Sequence, residues 1–195
     1  FMLAIGEFAV VNDKWRNIDV DYYVEEEFRE SAADIFPHTP EMMEFFSTKL
    51  GVDYPWAKYA QIIVRDYVSG AMENTTASIF GEFVQKDDVE LAEDHNDLIV
   101  AHELFHHWFG DLVTTESWSN LTLNEGFANY SEYLWFEHND GIEAAEDHRL
   151  NEMEGYLGSG RGGGFHPLIW YQFENNEDMF DGHSYNKGGL VLHML

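Results

Sequence analysis

Two histidines four residues apart, His102 and His106, enclose Glu103 in the run His102-Glu103-Leu104-Phe105-His106. On a helix, positions i and i+4 share a face with Cβ atoms about 5–6 Å apart, so both imidazoles can reach one metal ion. Glu103 sits one residue round from His102, over an open coordination position, where it can take a proton from a metal-activated water. Glu125 follows His106 by 19 residues, inside a second helical segment, and can complete a set of two histidines and one carboxylate. Such a set leaves a coordination position free, as catalytic zinc sites do and closed structural sites do not. With 0 cysteines, no thiolate can serve as ligand or nucleophile. A non-haem iron triad uses the same three ligand types, but that chemistry gives Glu103 no role. The residues point to metal-assisted hydrolysis, with zinc favoured over iron.

The elements that must position these groups follow from the apolar pattern. Phe1–Val11 and Asp19–Val24 read as short strands with Asn12 and Asp13 as turn residues between them. Thr39-Pro40-Glu41 opens a helix with a capping residue, a proline in the first turn and an early acid. That helix runs to Leu50 and stops at Gly51. Ala60–Tyr67 and Ala77–Gln85 read as buried strands, the second with Gly81 as a bulge. The metal-ligand helix is expected from Asn96 or Asp97 to Phe109, ending at Gly110, because Leu98, Ala101, Leu104, Phe105 and Trp108 keep the helical period. A turn and short strand, Gly110–Glu116, let a helix over Leu121–His138 fold back against it. Ile142–Tyr156 reads as another helix, Gly158–Gly164 as a glycine-rich loop, and Ser184 onward as a last helix. Strands first and helices after give an α+β domain with two lobes and a cleft.

Two further motifs flank the histidines: Gly70-Ala71-Met72-Glu73-Asn74 upstream and Tyr185-x-Lys187-Gly188 downstream. With Leu123-Asn124-Glu125-Gly126-Phe127-Ala128, they make the chain resemble the aminopeptidase N family of zinc metallopeptidases, the gluzincins. The resemblance implies a thermolysin-like zincin fold, a mixed β-sheet lobe plus a helical lobe with the active site between them. It implies that His102, His106 and Glu125 hold one zinc ion, that Glu103 is general base and then proton donor, and that Tyr185 donates to the oxyanion. Glu73 would bind the free α-ammonium of a peptide, while Gly70, Ala71 and Met72 line the substrate. Glu132, seven residues beyond Glu125, stands where the family usually has an acid, and would either orient a ligating imidazole or be a solvated glutamate. The expected activity is release of N-terminal amino acids from peptides. Leukotriene-hydrolase-like epoxide chemistry shares all three motifs, and a non-catalytic acidic module retaining a metal site is the alternative from another class.

Some residues depart from that pattern. His107 replaces a more usual Gln and, about 140° round the helix from His102, is expected to be packed or on the surface. Asn186 stands where Glu is usual. His95, His138, His148, His166, His183 and His193 lack ligand spacing and are given structural roles. The GxGxxG match at Gly158–Gly163 follows no strand and is read as a loop. Glycosylation sequons at Asn74, Asn120 and Asn129 are read as accidental, because a glycan on Asn74 would block the cleft.

Composition bounds the rest. The 195 residues carry 10 Lys+Arg against 37 Asp+Glu, a formal charge of −27. That field repels phosphate backbones and excludes nucleic acid as a partner. No apolar run reaches the ~18 residues of a membrane span. A hydrophobic content of 45% and aromatic content of 16% belong to a chain with a core, not a disordered one. Residues 1–24 are read as the end of a preceding β-domain with linker strands, and 25–195 as the catalytic domain, incomplete at its C-terminal end. The chain starts with Phe and reads as a piece of a longer protein. It is expected to bind zinc alone but to turn over slowly without its N-terminal β-domain and C-terminal helical domain. The lack of cysteine fits a cytoplasmic or exported bacterial-type protein and fixes neither.

Overall fold

Asn12 and Asp13 do not break the first strand. β1 (Ala9–Trp15) runs through them and pairs antiparallel with β2 (Ile18–Val24). Each makes a cross-strand side-chain bond: Asn12 Nδ2 donates to Asp21 Oδ1 at 2.7 Å, and the Tyr22 hydroxyl donates to Asp13 Oδ2 at 2.8 Å. Those pairs offset the poor strand propensity of the two residues. The turn falls instead at Arg16-Asn17, with Arg16 at φ 52 and its guanidinium held by Glu44 and Asp53. The computed structural model describes residues 2–93 and 95–195, with the backbone alone at 88, 92, 93 and 159–163. Phe1, at the head of the expected first strand, and Asp94, in the acidic stretch, lie outside the described residues. Residues 2–8 form no strand, although Met2, Ala4 and Phe8 pack against the cluster of Ala60, Ile62 and Ile79. The chain divides into two compact units, Phe1–His107 and Trp108–Leu195.

The first unit is a five-stranded mixed sheet with helices. Between β2 and the parallel β3 (Lys58–Val64) the chain crosses over through the short α1 (Ala32–Ile35) and α2 (Thr39–Leu50), as parallel pairing requires. Residues 9–24, read from sequence as the end of another domain, hydrogen-bond into this same sheet through β2 and β3. β3 is buried over Tyr59–Ile63, the mark of a strand covered on both faces. α2 has the predicted ends, with Gly51 left-handed at φ 66, but its cap is His38. The Thr39 hydroxyl donates instead to the buried Gln61 Oε1 at 2.7 Å.

β4 (Ala71–Met72) and β5 (Ala77–Gly81) close the sheet, in the order β1-β2-β3-β5-β4, with β4 antiparallel to β5. β5 ends at Gly81 rather than Gln85, because Glu82–Val84 turns into a 3-10 helix. α3 (Asp88–Glu93) lies in the acidic stretch, and α4 (Asp97–Phe105) carries the histidine motif. α4 stops four residues earlier than its apolar period implies: the His107 N–H turns back to Leu104 O at 3.1 Å, tightening the end.

The second unit is helical. Phe109 and Val113 form a single bridge in place of the expected short strand, in a turn closed by Gly110 N–H to Val113 O at 2.8 Å. α5 (Thr122–Asn139) and α6 (Ile142–Gly163) are joined through Gly141 at φ 93. α6 continues through the glycines read as a loop and ends where Gly164 turns left-handed at φ 82. The last helix is not a uniform α-helix: a π-helical turn, His183–Lys187, precedes α7 (Gly188–His193). α5 and α7 touch backbone to backbone; a Cβ at Gly188 would lie 2.8 Å from Gly126 Cα. Sheet and helices together make the chain α+β. No helix among the described residues is long and apolar enough to cross a membrane.

Candidate active site

In the first unit, α4 is pinned at its start by polar groups from elsewhere in the sheet layer. Asn96 Nδ2 donates to Ile35 O and Val84 O, and His38 Nδ1 lies 2.7 Å from Asp97 Oδ2. Val100, Ala101, Leu104 and Phe105 are buried, with the Phe105 ring edge-on to Phe46 of α2 at 5.0 Å. This packing leaves the rings of His102 and His106 side by side, 4.8 Å apart at their centroids and inclined at 75°. Glu103 and His106 are buried and His102 half-buried. The pair fits a metal ion by donor type and by spacing on one helix face.

The strand Ala71–Met72 is the sheet edge nearest this helix. A Cβ at Gly70 would lie 3.7 Å from Ile99 Cδ1 of α4, and Gly70 O accepts from Gly81 N–H at 3.0 Å. Met72, paired with Ile79, is 39% exposed, and Glu73 beyond it is half-buried. Tyr67 registers how near the two motifs are: burial, then the charges of Glu103 and Glu73, hold its phenol above the usual range. The strand of the Gly70–Asn74 motif and the histidine helix are thus neighbours within one unit.

His107 is packed, as one of its two expected placements had it. It is wholly buried between Tyr54 and Tyr59, and burial pushes its imidazole down to about 4.

In the second unit, Glu125 is buried in the first turn of α5. Glu132, two turns on, lies 3.3 Å from His148 Nε2 of α6. Burial opposes the His148 charge, but the Glu132 contact and the Glu152 field outweigh it and raise its pKa. Tyr185 is the middle residue of the π turn. That turn is tied to α5 by Thr122 Oγ1, which donates to Ser184 O at 3.0 Å, and to α6 by Asn186 Nδ2, which donates to Glu152 Oε2 at 2.7 Å. Asn129 donates to the same Glu152 oxygen at 2.8 Å, so Asn186 has an acid as its partner where a glutamate would face one.

No spacing or motif in the sequence signals what holds the turn from its other side. Asp181 Oδ1 accepts from the N–H groups of His183 and Ser184, and its Oδ2 meets His183 Nδ1 at 2.8 Å and His166 Nε2 at 2.7 Å. These groups converge as metal ligands do. However, His183 Nε2 accepts the His166 N–H at 3.1 Å, so its Nδ1 carries the proton and faces Asp181 as a donor. The cluster is a clamp on the turn.

The sequence matches the peptidase family M1 domain over residues 35–195, and the chain belongs to that family. It is similar to aminopeptidase N of Canis lupus familiaris, 36% identical over 167 residues, which cover 80% of this chain and 17% of that protein. It is also similar to glutamyl aminopeptidase of Bos taurus, 31% identical over 206 residues, covering 98% of this chain and 21% of that protein. With the tricorn protease-interacting factor F2 of Thermoplasma acidophilum it shares 30% identity over 204 residues, 99% of this chain and 25% of that protein. The chain therefore spans about a fifth of the length of these relatives.

Proposed function

We propose that this chain is the catalytic part of a zinc aminopeptidase of thermolysin-like build, with His102, His106 and Glu125 as the metal ligands. The observation that carries the reading is the edge strand of the Gly70–Asn74 motif lying beside the helix of the histidine motif. A bound zinc ion would supply a Lewis acid that polarises the scissile carbonyl and brings water to a pKa near ~7.

The chain's own residues do the rest. A peptide laid along β4 in extended form gains strand-like backbone bonds at Gly70 and Ala71 and a side-chain contact at Met72. Glu73 accepts its α-ammonium in a charge-assisted bond, so only the first peptide bond comes level with the metal ligands. Glu103 takes the proton from the attacking water and passes it to the leaving amine. The Tyr185 phenol donates to the oxyanion without adding charge to the site. Glu132 orients a ligating imidazole while sharing its charge with His148.

The test is Glu73→Ala in the intact protein, with metal content measured alongside. KM for substrates with a free amine should rise at least tenfold, and N-acetylated peptides should be poor substrates of the wild type. Equal cleavage of free and acetylated peptides by the wild type would remove Glu73 from the role.

A further inference from the structure

Glu73 is fixed at two points. On one side is the last ladder pair, Met72 with Ile79; on the other is the turn Asn74–Ala77, closed by Ala77 N–H to Asn74 O at 2.7 Å. The turn needs support, because Thr76 stands at φ 69, a left-handed conformation that a β-branched residue adopts only when its surroundings impose it. Two bonds impose it. Thr76 O accepts from Ala60 N–H of β3 at 2.9 Å, and Thr76 N–H donates to His107 Nε2 at 3.1 Å.

The same imidazole reaches back to the base. Because Nε2 accepts, the proton is on Nδ1, which donates to the backbone carbonyl of Glu103 at 3.1 Å. Trp56 Nε1 donates to the His107 carbonyl at 3.1 Å, and the Tyr54 and Tyr59 rings close on the imidazole, so it cannot swing away. One rigid five-membered ring thus spans from the residue that carries the general base to the turn that carries the amine anchor.

We infer that His107 is a positioning residue that sets the reach between Glu103 and the Glu73 carboxylate, and so fixes which peptide bond of a bound chain is cut. This rests on the reading of Glu73 as the amine anchor. His107 touches no substrate; it acts through Thr76. Loss of its acceptor leaves a half-buried N–H without a partner and frees the turn to leave its left-handed conformation. Glu73 then loses one of its two fixed points.

Glutamine and asparagine separate the two ends of the ring. In His107→Gln the side-chain carbonyl extends about as far as Nε2 and can still accept from Thr76. In His107→Asn the amide reaches only the place of Nδ1 and keeps the Glu103 side alone. His107→Leu keeps volume and neither bond. The three variants are made in the intact protein and compared with wild type at equal metal content, by KM and kcat on an aminoacyl arylamide and by the cleavage ratio of free to N-acetylated peptide. Hydrogen exchange of the Thr76 amide is followed in parallel.

His107→Gln should stay within about twofold of wild type. His107→Asn and His107→Leu should raise KM roughly tenfold, the size of one lost hydrogen bond, with kcat falling less and amine preference shrinking. Their Thr76 amide should exchange much faster than in wild type. If His107→Leu does not fold, the Asn–Gln contrast decides alone. Equal behaviour of Asn and Gln, or parallel losses in kcat and KM for all variants with slow Thr76 exchange, would overturn the inference. A wild type indifferent to N-acetylation is a different result: it defeats the anchor reading before any variant is compared, and this inference with it.

Discussion

The two units hold their functional side chains by different physics. In the first, Gly70–Glu73 and the His102–His106 helix are fixed by ladder bonds, buried apolar side chains and a neutral imidazole. In the second, Tyr185 sits on a π turn, a backbone form that wastes a helical bond and survives only when side chains support it. Beside the Thr122 hydroxyl, its supports are two carboxylates, Asp181 directly and Glu152 through Asn186. Away from its reactive groups, the scaffold of the first unit therefore ought to be more sensitive to changes of shape than to changes of charge. The second ought to fail when its charges are altered.

The largest expected effect lies in the first unit. Glu103→Gln keeps shape but removes the proposed base, and kcat should fall by about a hundredfold to ten-thousandfold with metal retained. Metal analysis beside steady-state kinetics checks this; retained turnover would break the assignment of the base to this unit.

Gly188→Ala probes shape in the second unit. A Cβ there would lie 2.4 Å from Thr122 Oγ1 and 2.8 Å from Gly126 Cα, with backbone on one side that cannot yield. The cost should be about 1–3 kcal/mol of stability, read by denaturant unfolding, with activity lost through displacement of the adjoining turn.

Asn186→Glu sharpens the comparison, since it sets a carboxylate against Glu152, whose oxygen lies 2.7 Å from the Asn186 amide. A several-fold loss of kcat with little change in metal affinity is expected, and adding Glu152→Gln should restore most of it. Failure of that rescue would mean charge is not what holds the turn.

The smallest effect concerns pH. His148 has a folded pKa raised above its unfolded value, so its contribution to stability is complete below the unfolded pKa of about 6.5 and is lost as pH rises through the folded value. Unfolding of wild type and His148→Gln should differ most at mildly acid pH and converge as the medium becomes alkaline.

The helix that brings His102 and His106 to one face is legible in the sequence, because spacing along a helix is a local property. His102 and His106 need only a helix through this stretch, and it does not matter that α4 stops at Phe105 rather than Phe109. The ends of α2 are equally legible at Leu50 and Gly51, where the breaker is a single residue. What escapes depends on partners far along the chain. Asn12 and Asp13 look like turn residues until Asp21 and Tyr22 face them. Thr39 looks like a cap until Gln61 takes its hydroxyl. His166 and His183 have no ligand spacing, yet Asp181 gathers both. The glycines of residues 158–163 read as a loop from propensity, although the backbone there continues α6.

The sheet order leaves β1 and β4 each with one neighbour among the described residues, and the two ends are guarded differently. β1 is seven residues long, but Asn12, Asp13 and Lys14 put polar and charged groups along it, which discourages another chain from pairing there. β4 offers two residues before the backbone swings into the Thr76 turn. That is too short a template for a second copy to extend the sheet, yet it matches the short stretch of peptide that the proposed function lays there. The brevity of β4 thus guards the protein against joining itself at the edge where a peptide is proposed to lie.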